Sequence, residues 1–128
     1  MDITEFIAAR LDEDEAAANA GARRVGMPWR AEPQPGTPGG LVIDELGLVG
    51  STGGRYAAEH IARHDPARAL REVKAKRAIV RRCGWSVNEP DQYPNGLVSP
   101  RAALSRQNLF DLAAVWSDHP DYRDEWRP

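Results

Sequence analysis

His60 and His64 stand four residues apart in the segment HIARHDPARAL, and Asp65 and Pro66 follow at once. On a helix, residues at this spacing share a face, and two imidazoles so placed can chelate Zn²⁺. The third histidine, His119, lies in the acidic segment DHPD near the end of the chain. It can supply a further ligand, with Asp121, Asp65 or Asp118 as a fourth. A reading without metal uses the same residues. His64 near a helix C-terminus gains from the helix dipole, and His60 can hydrogen-bond a neighbouring carboxylate. The chain has no HExxH motif and a single cysteine. The expectation is therefore no cofactor, with Zn²⁺ on His60, His64, His119 and Asp121 as the alternative.

Three other groups of residues bear on function. Arg68, Arg71, Lys74, Arg81 and Arg82 fall on one side of the helical segment 66–83 and can track phosphates. No recognition motif for nucleic acid accompanies them, so a solvated face partly paired with the run Asp12 to Glu15 is the plainer reading. Tyr122, Arg123 and Trp126 sit among acidic residues in the tail, and aromatics and arginines of this kind anchor protein interfaces. The competing use of Trp126 is to pack back on the protein's own helices and pin the C-terminus. Catalysis has the weakest support. Ser51, Ser99 and Ser105 lack a nucleophile-elbow context, and STGGR at 51–55 lacks the spacing of a phosphate-binding loop. The sequence leans away from an enzyme.

These residues need elements to hold them. Residues 1–20 predict a helix, with Asp2 as cap, Glu5 completing a capping box, and Ile3, Phe6, Ile7 and Leu11 on one face. Residues 25–56 are dense in Pro and Gly and predict a small antiparallel β-meander spanning about 28–51, with strands Trp29–Glu32, Leu41–Asp44 and Leu48–Ser51. Trp29 is its apolar anchor. Residues 57–83 predict a helix pair that breaks at Asp65, which caps the second helix, with Pro66 in its first turn. Ile61 and Leu70 are expected to point into a shared core from the two sides of that bend, and Cys83 to be buried as a small hydrophobe. Residues 84–100 predict a long loop. Residues 101–128 predict a helix through about Trp116, with Leu109, Leu112, Ala113 and Trp116 buried, and a tail with one further turn from Pro120.

The fold class that results is α+β and mainly helical: about four helices with the meander after the first. A chain of 128 residues fits a single domain, 1–128, and is long enough to bury a real core. The net charge of −2 gives no general attraction to nucleic acid or an anionic membrane. Charge is uneven: residues 57–84 hold eight bases and three acids, while both flanks are acidic. One cysteine excludes an internal disulfide and suits a reducing cytoplasm. No signal peptide or membrane-length apolar run is evident.

The segments ARLDEDE, HIARHDPARALREVKAKRAIV and DHPDYRDEWRP, at the two ends and the middle of the chain, resemble a family of small uncharacterised proteins of actinobacteria and their phages. The resemblance is weakest around residues 84–108. It brings no activity, ligand or catalytic residue with it, and implies a cytoplasmic accessory protein, phage- or prophage-associated. Such a protein with no catalytic constellation most often acts by binding a macromolecule. A protein partner is expected first and nucleic acid second, with no membrane and with self-association compatible.

Overall fold

The computed structural model of the chain describes residues 1–23, 26–87 and 98–128. In chain order the elements are helix α1 (Ile3–Ala22), strands β1 (Arg30–Pro33), β2 (Gly40–Ile43) and β3 (Leu48–Thr52), helix α2 (Arg55–Arg63), helix α3 (Pro66–Val87) and helix α4 (Pro100–Ala113). Short 3₁₀ turns follow at Ala114–Trp116 and Asp124–Trp126. This is the mainly helical α+β architecture expected, with an antiparallel meander after the first helix. Among the described residues no helix is long and apolar enough to cross a membrane.

Two compact units divide the chain. One comprises residues 1–13 and 74–128, the other residues 14–73, so the division falls inside α1 and α3. Each is described separately.

In the unit of residues 14–73 the strands run in the order β1-β2-β3, with Arg30 opposite Ile43 and Gly40 opposite Thr52. The β2–β3 turn closes through Asp44, whose Oδ1 accepts the backbone N–H groups of Leu46 and Gly47 at 2.6 and 2.8 Å. Gly47 takes φ +131°, which L side chains rarely adopt. Helix α2 lies on this sheet through Ala58 and Ala62, four residues apart and both buried with Val42. Trp29, Ala31 and Val49 pack around that cluster, so Trp29 anchors the meander as expected. Gly40 sets the closeness of the approach, since a Cβ there would stand 2.6 Å from Ala58 Cβ and 2.9 Å from Arg55 Cα.

Alanines thus form the buried face of α2, and Ile61 is turned out, 40% exposed. The expectation that Ile61 points into a core is overturned. The close helix–sheet contact has room for methyl groups and none for a larger side chain. The break before α3 is as expected. Asp65 is buried, and its Oδ1 accepts the Arg68 N–H at 2.7 Å, with Pro66 opening the helix.

In the unit of residues 1–13 and 74–128, α1 begins with the expected capping box. Asp2 Oδ1 accepts the N–H groups of Thr4 and Glu5 at 2.8 and 2.9 Å, and Glu5 Oε2 accepts the Asp2 N–H at 2.8 Å. Phe6, Ile7 and Leu11 are fully buried. Helix α4 opens on Ser99, whose Oγ accepts the Ala102 N–H at 3.0 Å, with Pro100 in the first turn. Its buried stripe is Ala102, Ser105, Leu109 and Ala113, while Leu112 and Trp116 are only half-buried. Cys83 is buried, as expected.

The end of α3 differs from expectation. Helix α3 continues through residues 84–87 rather than giving way to a loop at Gly84. One glycine in a helix costs only about 1 kcal/mol, and Ser86 is buried with its hydroxyl donating to the Arg82 carbonyl at 3.3 Å. The rest of the expected loop, up to residue 97, lies outside the described residues. The expected turn at Pro120 does form, with the Tyr122 N–H donating to the His119 carbonyl at 2.9 Å, and a last 3₁₀ turn follows at Asp124–Trp126.

Candidate functional site

Of the histidines, His60 and His64 are brought together. Both are exposed at the C-terminal end of α2, with ring centroids 4.4 Å apart and planes inclined by 41°. His64 is the C-cap of the helix, and its Nδ1 is 2.8 Å from the His60 carbonyl oxygen. His119 belongs to the other unit. There its ring lies edge-on to Phe6, and its Nδ1 accepts the Asp121 N–H at 3.1 Å. Of the four expected ligands, His60 and His64 lie in one unit and His119 and Asp121 in the other. Among the described residues no three of His, Cys, Asp and Glu stand together as a metal cluster.

His119 has a neighbour that sequence reasoning missed. Arg10 is buried, and its Nη1 stands 2.6 Å from His119 Nε2 and 2.9 Å from Nδ1. Its Nη2 donates to Glu13 at 2.7 Å, its guanidinium lies over the Phe6 ring, and Asp121 is 3.8 Å away. A buried cation needs such company, because an uncompensated charge out of water is costly. The Arg10–Glu13 spacing was the one sequence signal for it.

The tail residues named as partner anchors divide. Trp126 is 4% exposed and packs against Phe6 at a centroid distance of 5.0 Å, with Tyr122 edge-on to both rings. Trp126 is core, Tyr122 is half-buried beside it, and Arg123 is exposed with its guanidinium over Trp126.

The basic residues of α3 also divide. Arg68 is half-buried and donates to Glu72 at 2.7 Å. Arg71 is exposed, as are Lys74, Arg81 and Arg82 in the other unit. Arg77, absent from the expected set, donates to Asp12 at 2.6 Å, which is the anticipated pairing with the acidic run.

A surface not singled out beforehand lies between α3 and α4 in the unit of residues 1–13 and 74–128. A groove of about 460 Å³ runs between Ile79, Arg82 and Cys83 of α3 and Asn108, Asp111, Leu112 and Val115 on the other side. Leu104 shares their side of α4, one turn before Asn108. Leu104 is 64% exposed and Val115 58% exposed. Trp85, near the end of α3, is also exposed, with the Arg101 guanidinium 5.9 Å from its ring. The signal available in the sequence is the helical spacing of Leu104, Asn108, Asp111 and Val115 on one side; Leu112, expected on the inward stripe, is half-buried at its edge.

A small, mainly helical α+β protein carrying an apolar groove and a separate exposed histidine pair is what the fold and these surfaces define. The chain belongs to DUF6221, a family of unknown function, whose family model matches residues 1–128. No curated protein and no solved structure matches it.

Proposed function

We propose that this protein works by binding a protein partner at the α3–α4 groove. The observation that carries the reading is the outward side of α4 and the 3₁₀ turn after it, where Leu112 and Val115 line the groove with Ile79 and Cys83 and the exposed Leu104 extends the same side. Leaving two large aliphatic side chains more than half exposed forgoes about 1 kcal/mol or more of burial each. A partner that covers them recovers that free energy. A groove between two helices suits an amphipathic helix laid along it, with apolar anchors at helical spacing. Arg82 and Asp111, of opposite charge, line the same groove and can fix the orientation of the incoming segment. The tail is not the docking surface in this reading, since Trp126 is core and Tyr122 is half-buried beside it. The setting is an accessory role in the cytoplasm of an actinobacterium, on a host or prophage gene, as the resemblance of the three segments suggests.

The test is affinity capture with wild-type protein and with the double variant Leu104→Asp, Val115→Asp, which leaves the buried stripe of α4 untouched. A partner retained by the wild type and lost by an equally stable variant is expected. Equal retention by both contradicts the proposal.

A further inference from the structure

We infer that His60 and His64 form a two-point chelate for a borderline divalent transition cation on the surface of α2, complete without His119. Three observations meet there. The rings stand side by side, 4.4 Å between centroids, on successive turns of one helix. Two nitrogens bound tetrahedrally to Zn²⁺ at about 2.0–2.1 Å stand roughly 3.4 Å apart, a separation the exposed His60 can reach by rotating its side chain while His64 keeps its bond to the backbone. Both residues are exposed, and the rotation meets no packed core.

The tautomer of His64 is also set. Its Nδ1 lies 2.8 Å from the His60 carbonyl oxygen, and a carbonyl can only accept. Nδ1 therefore carries the proton, and the lone pair is on Nε2, turned away from the backbone. A histidine whose second nitrogen donates to a backbone carbonyl is the usual form of a metal ligand, because that bond holds the ring and raises its basicity. Finally, the pair stands at the carbonyl end of α2, where the helix dipole favours a cation. Two arginines stand at this end: Arg63, exposed in the last turn of α2, and Arg68, whose Nη1 donates to the Arg63 carbonyl. The charge of Arg68 is offset by Glu72, 2.7 Å from its Nε. Asp65 takes no part in the chelate, since both its oxygens accept backbone N–H groups. Two protein ligands leave the remaining positions of the ion to water or to a ligand group from another molecule.

Imidazole pairs of this kind do not impose a geometry, so affinity should follow the intrinsic order Cu²⁺ above Ni²⁺ above Co²⁺. Untagged protein titrated calorimetrically with Cu²⁺, Ni²⁺ and Co²⁺ as chloride salts tests the inference. One ion per chain is expected. His60→Ala and His64→Ala should each weaken binding at least about tenfold, the loss typical of removing even an outer-shell partner. The double variant should show no saturable binding, and His119→Ala should bind as the wild type does. His60→Ala, His64→Ala and the double variant should melt with the wild type without metal, which separates a lost ligand from a lost fold. Absence of saturable binding by the wild type, binding that survives in the double variant, or an equal loss in His119→Ala would each overturn the inference.

Discussion

The two oxygens of the Asp65 carboxylate do different work. Oδ1 caps α3 by accepting the Arg68 N–H at 2.7 Å, and Oδ2 accepts the Trp29 N–H at 3.2 Å, 36 residues away in sequence. Removing the carboxylate loses the cap, worth ~1 kcal/mol, and leaves the Trp29 N–H without its partner, at ~1–3 kcal/mol if it stays dry. Asp65→Ala should therefore destabilise by ~2–4 kcal/mol in urea melts. Asp65→Asn keeps one acceptor oxygen and should cost less than Asp65→Ala. Equal costs for the two would mean that the carboxylate acts by charge rather than by accepting both hydrogen bonds. Asp2 offers a pH test at the other cap. The Thr4 hydroxyl, then the Glu5 N–H, hold its carboxyl below the usual value of 3.8. A depressed folded-state value means that the contribution is present above the unfolded-state pKa and is lost as pH falls through the folded one. The gap in thermal midpoint between wild type and Asp2→Ala should hold at neutral pH and shrink below about pH 3.8.

At the scale of elements, the tail is the clearest case. The segment from His119 to Trp126 is fixed by rings. Phe6 of α1 meets His119, Tyr122 and Trp126 at centroid distances of 5.8, 6.0 and 5.0 Å. Trp126→Ala deletes the largest of these buried side chains and should cost about 3 kcal/mol or more, read as a lowered urea midpoint with protease sensitivity appearing first at the C-terminus. An unchanged midpoint would contradict the burial. The sequence made the starts of elements readable because a cap is a local interaction. Asp2 with Glu5, Ser99 with Pro100 and Asp65 with Pro66 each carry their signal within four residues. Interior faces were harder to read where they are built from small residues. Ala58 and Ala62 on α2, and Ala102 and Ser105 on α4, are buried without being strongly apolar, so attention went to Ile61 and Leu112 instead. Gly84 was read as a stop because its cost is local, whereas the burial of Ser86 that offsets it is tertiary. The Asp65–Trp29 bond and the Arg10–His119 contact join residues far apart in sequence, and no spacing rule reaches them.

At the scale of the molecule, the two proposed sites fall in different units. The histidine pair lies on α2 in the unit of residues 14–73, and the apolar groove lies between α3 and α4 in the other. The metal account predicts that neither His60 nor His64 affects partner capture unless the partner supplies ligands to the ion. The basic residues expected to track phosphates are divided between the units, and Arg68 is already committed to Glu72. The central claim is that the outward face of α4 binds a protein. Its most direct test is a photo-crosslinker placed at Leu104, with a second at the exposed and distant-in-sequence Tyr56 as control, followed by titration of the crosslinked partner in purified form. The account predicts a discrete adduct from position 104 and none from position 56, with binding of the purified partner weakened at least about tenfold, or 1.4 kcal/mol, by Leu104→Asp with Val115→Asp. Equal crosslinking at both positions, or undiminished affinity of the double variant, would contradict it.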